Sequence, residues 1–391
     1  MNITLTPTPL AGAVALPPSK SVAHRHFFLA ALSGKPTQFK IATLSDDLRA
    51  TLNAVGALGT EHHIEEGVLH LIPGNKQTKA TVDCIESAST LRMAMMVLPT
   101  QIPEIRFTGK ASLFDRPMEE GIAYLKNRGV EVRLETNAIT TRNTYTPKSV
   151  TMSGKITSQF ITGAMLAATT ASEPVTIIVE EKTSAPYLHM TEEILKQWGI
   201  RIKGDTIFPG ELLPLSRPIT IEGDRSHAAY LHAANALGAK ITMKNITGES
   251  LQGDDAFPEL LRQMKEGKTV DLTSHPDLLM PLAVVATKTG GRMKGVERLR
   301  YKESDRIATT GGMLAALGIE SSYEDDIFTV KPGQVKGGTV HTGGDHRIAF
   351  AAAILASVAD GPVTVIGSEC VEKSWPDFWN TIKTLQENNR R

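Results

Sequence analysis

The sequence has 391 residues, enough for two domains of ordinary size and a large buried core. Its 42 basic residues balance 42 acidic ones, so no excess of positive charge favours nucleic acid or an anionic membrane as a partner. The two cysteines, Cys84 and Cys370, are too few for a disulfide framework. We interpret both as structural thiols, as expected in a reducing compartment.

The chain begins with MNITLTPTPLAG, which lacks the basic region followed by an apolar run that marks a signal peptide. The most apolar segment, IAFAAAILASVA at residues 348–359, is too short to span a bilayer. The sequence therefore predicts a soluble, cytoplasmic protein.

The first predicted helix begins at Lys20 and ends before Gly34, a residue that suits a helix C-terminus. Its first turns carry Lys20, His24 and Arg25. A helix N-terminus disfavours each cation by about 0.3–1 kcal/mol. This arrangement suggests that something anionic compensates for the positive charge.

Helices of this small, apolar kind recur along the chain, with predicted starts at Lys20, Ala88, Ser158, Ser226, Asp277 and His346. A second, more amphipathic helix follows each of them after 28 to 32 residues, with starts near Leu48, Met118, Met190, Phe257, Arg306 and Asp377. Runs of β-branched residues such as EIRFTG, PVTIIVE and PVTVIG lie between the two helices. This near-constant spacing predicts six copies of one α/β unit of about 65 residues.

Three copies per domain would give two similar halves of the protein. The segments LPP at residues 16–18 and EGD at 222–224 are the natural seams. They predict one domain at 19–222 and a second that combines 1–18 with 223–391, so that the chain crosses between the domains twice.

Cations recur near the predicted helix starts, at Lys20 with Arg25, Arg92, Arg116, Lys302 with Arg306, and Arg347. One such residue is usually a solvated side chain or a partner in a salt bridge. If these helix ends converged on a cleft between the domains, their amides, dipoles and side chains together would bind a polyanion. Lys302 and Arg306 lie four residues apart, and on a helix they would share a face.

Other catalytic motifs are incomplete. No GxGxxG or GxSxG segment is present, and SGKITSQ at residues 153–159 lacks the first glycine and the final Ser/Thr of a P-loop. The pairs His24/His26 and His62/His63 lack a plausible metal constellation, so we interpret them as packing or surface histidines.

The segment PPSKSVAHR resembles the N-terminal signature of the enolpyruvylshikimate-phosphate synthases, a family of enolpyruvyl transferases. The segments ESASTLRM, FDRPM, SGKITSQF, TSAPY, EGDRSHAAY, SHPDL, RLRYKESDRI, GGDHR and VEKSWPDF follow in that family's order and cover most of the chain. The resemblance implies a two-domain, inside-out α/β barrel of six βαβαββ-type units, with the active site in the interdomain cleft.

The resemblance also implies the reaction. The enolpyruvyl group of phosphoenolpyruvate would pass to the 5-hydroxyl of shikimate-3-phosphate in the shikimate pathway, with release of phosphate and without a metal or organic cofactor. Shikimate-phosphate contacts would be Ser21, Arg25, Thr157, Ser158, Gln159, Ser184, Tyr187, Asp277 and Lys302. Phosphoenolpyruvate contacts would be Lys20, Ala88, Arg116, Gln159, Arg306, Arg347 and Lys373.

The reaction needs a base for the attacking hydroxyl, and Asp277 is the matching residue. A second acid or base must act at the methylene carbon of phosphoenolpyruvate. Glu303 is our choice for it, with Lys373 and Lys20 as alternatives. By the same resemblance, we expect a monomer. The balanced charge predicts that it binds neither nucleic acid nor a membrane.

Several positions depart from the family's common residues. Ala88 occupies a place that is usually glycine, and its methyl group would narrow the phosphoenolpyruvate pocket and reduce sensitivity to the longer inhibitor glyphosate. His24, Thr157, Ala185 and Arg298 also differ from common members. Two alternatives stay open: a UDP-N-acetylglucosamine enolpyruvyl transferase, which usually carries a reactive loop cysteine, and a non-catalytic protein that binds a small anion.

Overall fold

A computed structural model describes residues 1–41, 43–215, 217–246 and 248–389. The chain divides into two compact units. We call Pro18–Glu222 the inserted unit, and Met1–Pro17 together with Gly223–Arg391 the terminal unit. Both predicted domains include residues outside the described ranges, at 42 and 216 in the first and at 247, 390 and 391 in the second.

The elements follow one another in the order that the sequence predicts. The terminal unit begins with strands β1 (Asn2–Leu5) and β2 (Ala11–Val14). The inserted unit contains α1 (Lys20–Ser33), β3 (Thr37–Lys40), α2 (Asp46–Ala57), β4 (Thr60–Glu65), β5 (Val68–Pro73), β6 (Lys79–Asp83), α3 (Ala88–Val97), β7 (Glu104–Thr108), α4 (Ala111–Phe114), α5 (Glu119–Asn127), β8 (Glu131–Glu135), β9 (Ala138–Arg142), β10 (Val150–Ser153), α6 (Gln159–Ala167), β11 (Val175–Glu180), α7 (Ala185–Gln197), β12 (Arg201–Lys203), β13 (Thr206–Phe208) and β14 (Ile219–Thr220). The terminal unit resumes with α8 (Arg225–Ala236), β15 (Lys240–Met243), α9 (Phe257–Lys265), β16 (Thr269–Asp271), α10 (Leu279–Thr289), β17 (Gly291–Lys294), α11 (Arg306–Ala316), β18 (Ser321–Glu324), β19 (Ile327–Val330), β20 (Gly338–His341), α12 (His346–Ala356), β21 (Val363–Ile366) and α13 (Phe378–Asn388).

The four-stranded sheets repeat one pattern. The inserted unit has three four-stranded sheets, in the orders β14-β3-β5-β4, β6-β7-β9-β8 and β10-β11-β13-β12. The terminal unit has the sheets β16-β17-β19-β18, β1-β21-β20 and β15-β2. In each four-stranded sheet a parallel pair joins an antiparallel hairpin, as in β6 and β7 with β9 and β8. The predicted mixed α/β fold of repeated βαβαββ-type units is confirmed, but none of the sheets in the described residues closes into a barrel.

Each unit contains three helices of the apolar kind that pack on one another: α1, α3 and α6 in the inserted unit, and α8, α10 and α12 in the terminal unit. Helix α12 is buried on every side, as expected for a helix that is apolar all round. Helices α3 and α6 approach closely at Gly163, where a Cβ atom would lie 2.9 Å from Cβ of Met96. Small residues therefore allow the central helices to pack tightly. Within the described part of the chain, no helix has both the length and the apolar composition needed to cross a membrane.

The predicted helix starts agree with the structure to within about two residues, except that of α7. Helix α7 begins at Ala185 rather than near Met190, because Pro186 suits a first turn and Ser184, with φ of 59°, separates the helix from the preceding segment. Helix α11 begins at Arg306, so Lys302 precedes it. Because Lys302 lies outside the helix, Lys302 and Arg306 do not share a helix face.

Candidate active site

Helix starts of the terminal unit carry a cluster of charged side chains. Asp277 lies in a 3-10 turn, Pro276–Leu278, directly before α10. Arg306 is the first residue of α11, and Arg347 is the second residue of α12. Helix α12 packs against both α10 and α11. The packing of these helices brings together side chains that are up to 70 residues apart in the sequence.

The guanidinium group of Arg306 binds three carboxylates. Its Nη1 donates to Oδ1 of Asp277 at 2.7 Å, its Nε to Oδ2 of Asp345 at 2.7 Å, and its Nη2 to Oε2 of Glu303 at 2.5 Å. The Arg306 side chain is only 2% exposed. The planar, forked shape of an arginine suits this arrangement, whereas a lysine ammonium acts as a point charge.

Asp277 is surrounded by cations. Its Oδ2 accepts a hydrogen bond from Nη2 of Arg347 at 2.9 Å, and its Oδ1 lies 4.0 Å from Nζ of Lys302. Burial alone would raise the pKa of Asp277, but the charges of Arg347, Lys302 and Arg306 outweigh this effect and hold the pKa well below its usual range. The side chain is therefore a carboxylate at neutral pH.

Sequence reasoning missed Asp345, which completes the cluster. This fully buried residue is the N-cap of α12, where its side chain accepts from the backbone N–H of Arg347 at 3.0 Å. It also accepts from the Ser304 hydroxyl at 3.1 Å. Its position before a predicted helix start is a recognisable capping signal, but the signal does not reveal that the same carboxylate also binds Arg306.

Two further titratable groups of the terminal unit have shifted pKa values. Burial lowers the pKa of Lys302 to about 8, and the negative charge of Asp277 opposes that shift. Burial, together with the charge of Asp277, raises the pKa of Asp254 to about 6. Asp254 was not predicted as a site residue, and it accepts a hydrogen bond from the Ser226 hydroxyl. Opposite shifts of neighbouring carboxyl groups are typical of acid–base sites.

Lys373, another predicted site residue, is buried at the end of a 3-10 turn, Ser368–Lys373. This turn packs against α12, the helix that carries Arg347. Arg298, a predicted departure from the family, donates to the backbone carbonyl of Thr273.

In the inserted unit, a line of hydrogen bonds joins the starts of α1, α2, α3 and α6. Nζ of Lys20 donates to Oδ2 of Asp47 at 2.7 Å. The hydroxyls of Thr51 and Thr90 lie 2.7 Å apart, and Nη1 of Arg92 donates to Oε1 of Gln159 at 2.9 Å. Ser89 of α3 also belongs to this line, since its hydroxyl accepts from the Gln159 side chain at 2.7 Å. The predicted residues Lys20 and Gln159 therefore belong to one network of polar side chains near the helix starts of this unit.

Arg116 is a further cation of the inserted unit. It is 7% exposed and precedes Pro117, and its Nη2 lies 3.8 Å from Oε1 of Glu86. Among the described residues, Nε and Nη2 of Arg116 have no hydrogen-bond partner. An anion with two oxygens would satisfy such a guanidinium edge.

Ala88 is buried and is the first residue of α3, whose N-cap Ser87 accepts from the N–H of Thr90 at 3.3 Å.

Arg25 is placed differently from the other predicted cations. Its Nε donates to the Thr191 hydroxyl at 2.8 Å, and its two terminal nitrogens donate to the carbonyls of Ser21 and Tyr187 at 2.5 and 2.9 Å. Burial lowers the pKa of Arg25 to about 10, which leaves the group charged at neutral pH. In this structure the Arg25 guanidinium joins α1 to α7.

The predicted residues Thr157, Ser158 and Ser184 lie at helix starts. The Thr157 hydroxyl accepts from the N–H of Gln159 at 3.2 Å, and buried Ser158 is the N-cap residue of α6. Ser184 is the N-cap residue of α7 and has a left-handed backbone, with φ of 59°. Such a conformation in a non-glycine residue costs about 1–3 kcal/mol and is concentrated at functional sites.

The two cysteines are free thiols. Burial raises the pKa of both, to about 12 for Cys370, where neighbouring carboxylates add to the effect. Both are therefore protonated at neutral pH and are poor nucleophiles, since the thiolate is the reactive form.

The repeated α/β units, with buried guanidinium groups at their helix starts, define a two-unit α/β protein. Comparison with known proteins identifies the family. The family model of EPSP synthase (3-phosphoshikimate 1-carboxyvinyltransferase) matches residues 5–266 and 259–382. The chain belongs to this family.

Full-length relatives carry the same description. Proteins of Clostridium novyi and Aeropyrum pernix, each called 3-phosphoshikimate 1-carboxyvinyltransferase, are both 31% identical to this chain, over 98% of it and over 97% and 95% of their own lengths. The solved EPSP synthase of Acinetobacter baumannii superposes with a TM-score of 0.79 over 98% of both chains at 22% identity, which supports the fold.

Proposed function

We propose that this protein transfers the enolpyruvyl (carboxyvinyl) group of phosphoenolpyruvate to the 5-hydroxyl of shikimate-3-phosphate and releases phosphate, as a transferase of the shikimate pathway. Membership of the family supports this function. The observation that carries it is the Asp277 carboxylate bound by Arg306 and Arg347 and close to Lys302. This group combines a carboxylate that can accept a proton from the attacking hydroxyl with three cations that can attract an anionic substrate.

Asp277 acts as the base in this proposal. It takes the proton of the 5-hydroxyl while that oxygen attacks carbon 2 of phosphoenolpyruvate, and carbon 3 gains a proton. The resulting tetrahedral adduct then loses the carbon 3 proton and phosphate. Glu303 is our candidate for the exchange at carbon 3, since it shares the Arg306 guanidinium with Asp277; Lys20 and Lys373 are the alternatives.

The pKa of Asp277 is well below its usual range, and a carboxylate of low pKa is a weak base. Substrate binding would change this. A phosphate or carboxylate placed beside Arg347 and Lys302 offsets their charge, and the pKa of Asp277 then rises. The bound anion therefore makes Asp277 a better base only when the substrates are in place.

We further propose that 19–222 and 1–18 with 223–391 are separate domains, both of which supply substrate-binding residues. From the first domain these are Lys20, Ser21, Arg25, Ala88, Arg116, Thr157, Ser158, Gln159, Ser184 and Tyr187. From the second they are Asp277, Lys302, Arg306, Arg347 and Lys373. Arginine pairs with carboxylate and phosphate through forked hydrogen bonds, which fix the reacting atoms in position.

Release of phosphate tests the proposal. We expect the purified protein to release one phosphate per enolpyruvyl group transferred when shikimate-3-phosphate and phosphoenolpyruvate are supplied together. Turnover with UDP-N-acetylglucosamine instead would identify the related transferase, which the high pKa of Cys370 and the burial of Cys84 disfavour. Binding of anions without release from either pair would indicate a non-catalytic protein.

The pKa of Lys302 predicts a pH dependence of substrate binding. Its lowered value of about 8 means that the ammonium loses its proton as the pH rises through 8. We expect the KM for shikimate-3-phosphate to rise above that pH. In Lys302→Arg the charge persists to higher pH, so the rise should disappear. Identical pH profiles for the two proteins would exclude Lys302 as the titrating group.

Ala88 predicts the response to glyphosate. Its methyl group, at the start of α3, would narrow the pocket for phosphoenolpyruvate, and Ala88→Gly should therefore lower the inhibition constant of glyphosate more than it lowers the KM for phosphoenolpyruvate. Steady-state inhibition of both proteins measures this difference. A native protein that glyphosate already inhibits at concentrations near that KM would contradict the prediction.

We propose a cytoplasmic location and a monomeric state. The two free, protonated thiols support a reducing compartment. The balanced charge of the sequence supports small-molecule partners rather than nucleic acid or a membrane. The monomer follows from the family resemblance, and sedimentation at micromolar concentration measures it directly.

A further inference from the structure

A group of metal-binding side chains lies on the hairpin of β4 and β5, far in sequence from every proposed catalytic residue. His63 of β4 is directly opposite His70 of β5 in the antiparallel register. Glu65 lies two residues after His63 and so extends from the same face of the strand. One ligand atom from each of the three side chains lies within 4.8 Å of the other two.

The hairpin turn fixes this arrangement. Glu66 and Gly67 connect the strands and both have positive φ values, 48° and 75°, as in the two-residue turns that set hairpin register. A slip by one residue would move His63 to the opposite face of the sheet. The backbone therefore keeps His63 and His70 opposite each other.

The two imidazole rings stack, with centroids 4.6 Å apart and planes inclined by 8°. His63 and Glu65 are exposed, and His70 is half-buried. On the other side of His70, the Gln38 amide of β3 lies 3.4 Å from Nδ1 of His70. This contact restrains the orientation of the His70 ring.

Two imidazoles and one carboxylate form a ligand set typical of Zn²⁺. At Zn–N distances of about 2.1 Å, tetrahedral geometry separates ligand atoms by roughly 3.4 Å. Because a bound ion lies in the plane of each imidazole, the two rings would have to rotate out of their stacked arrangement to bind one ion. Water would complete the coordination. Glu61, two residues before His63, lies on the same face and adds negative charge near the site.

We propose that the β4–β5 hairpin binds one divalent transition-metal ion of the imidazole-preferring kind, with Zn²⁺ as the representative, through His63, Glu65 and His70. The ion would connect adjacent strands of the sheet. It would take no part in the transfer reaction, because none of the proposed catalytic or substrate-binding residues belongs to the hairpin.

Calorimetric titration of the full, untagged protein with Zn²⁺ tests the proposal. We expect one saturable site, and we expect His63→Gln and His70→Gln each to weaken binding by more than about tenfold. His62→Gln is the matched control, because His62 is the neighbouring histidine on the opposite face of the same strand. No saturable binding, or an equal loss in His62→Gln, would overturn the proposal.

Electron paramagnetic resonance with Cu²⁺ gives a second measurement that does not depend on affinity. The native protein should show splitting from two ring nitrogens, and His70→Gln should show splitting from one. The rate of phosphate release should be the same with Zn²⁺ and with a chelator. If a chelator lowered the rate of phosphate release and His63→Gln lowered it in the same way, the conclusion that the metal takes no part in the reaction would be overturned. The metal titration does not depend on catalysis, so its result stands even if the proposed function fails.

Discussion

Asp277→Asn is expected to lower kcat by roughly 10²–10⁴-fold, the usual contribution of a general base. Asparagine keeps the size of the side chain but cannot accept the hydroxyl proton. Binding of shikimate-3-phosphate should largely persist at a pH low enough to keep Lys302 protonated, since Arg306, Arg347 and Lys302 stay in place. Single-turnover phosphate release measures the chemical step, and calorimetry measures binding.

The substitution should also change the neighbouring groups. Asp277 raises the pKa of Lys302, so its replacement should lower that pKa below about 8. Asp271→Asn is a suitable control, because Asp271 is an exposed carboxylate of the same unit that pairs with Lys294. Full activity of Asp277→Asn, with normal pH dependence, would remove Asp277 from the role of base.

Arg306→Lys is expected to destabilise the protein by about 3–5 kcal/mol, the cost of breaking a buried ion pair. A single ammonium cannot satisfy Asp277, Glu303 and Asp345 at once, and Asp345 has no exposure to solvent. Activity should fall as well, because the same guanidinium positions Asp277. Urea unfolding monitored by tryptophan fluorescence measures the loss of stability.

Arg300→Lys provides the matched comparison. Arg300 donates to Oδ2 of Asp305 at 2.8 Å, but both side chains are more than a third exposed, and exposed pairs contribute only about 0–1 kcal/mol. We therefore expect a small change for Arg300→Lys. Equal effects of the two substitutions would show that the Arg306 contacts do not stabilise the folded state.

The order of elements is predictable from the sequence because the repeat is present in the residues themselves. Small apolar helices such as α12 can be recognised from composition alone. The end of α1 can also be recognised from the sequence, because Gly34 readily adopts the left-handed conformation that commonly ends a helix. Such short-range signals do not require knowledge of the packing.

The partners of the cations could not be predicted in this way. The sequence suggested that a ligand compensates for positive charge at helix starts. The structure shows that carboxylates of the chain already do so, with Asp47 beside Lys20 and Asp345 beside Arg306. These pairs join residues 27 and 39 positions apart, and their contacts depend on how the helices pack.

The sequence also does not reveal how a helix is rotated about its axis. Arg25 is the sixth residue of α1, and its side chain turns towards α7 rather than remaining at the helix start. The metal-binding group is a further example. The sequence draws attention to the adjacent pair His62 and His63, but the pairing of β4 with β5 places His70 beside His63 instead.

The pairing of β1 with β21 bears on how the protein is made. Asn2 through Leu5 of β1 pair with Ile366 through Val363, so β1 leaves the ribosome long before the strand with which it pairs. At about 5–20 residues per second, synthesis of the intervening stretch takes roughly 20–70 s. During this time NITL on the nascent chain lacks its partner strand, and the sheet β1-β21-β20 can form only after β21 has been synthesised.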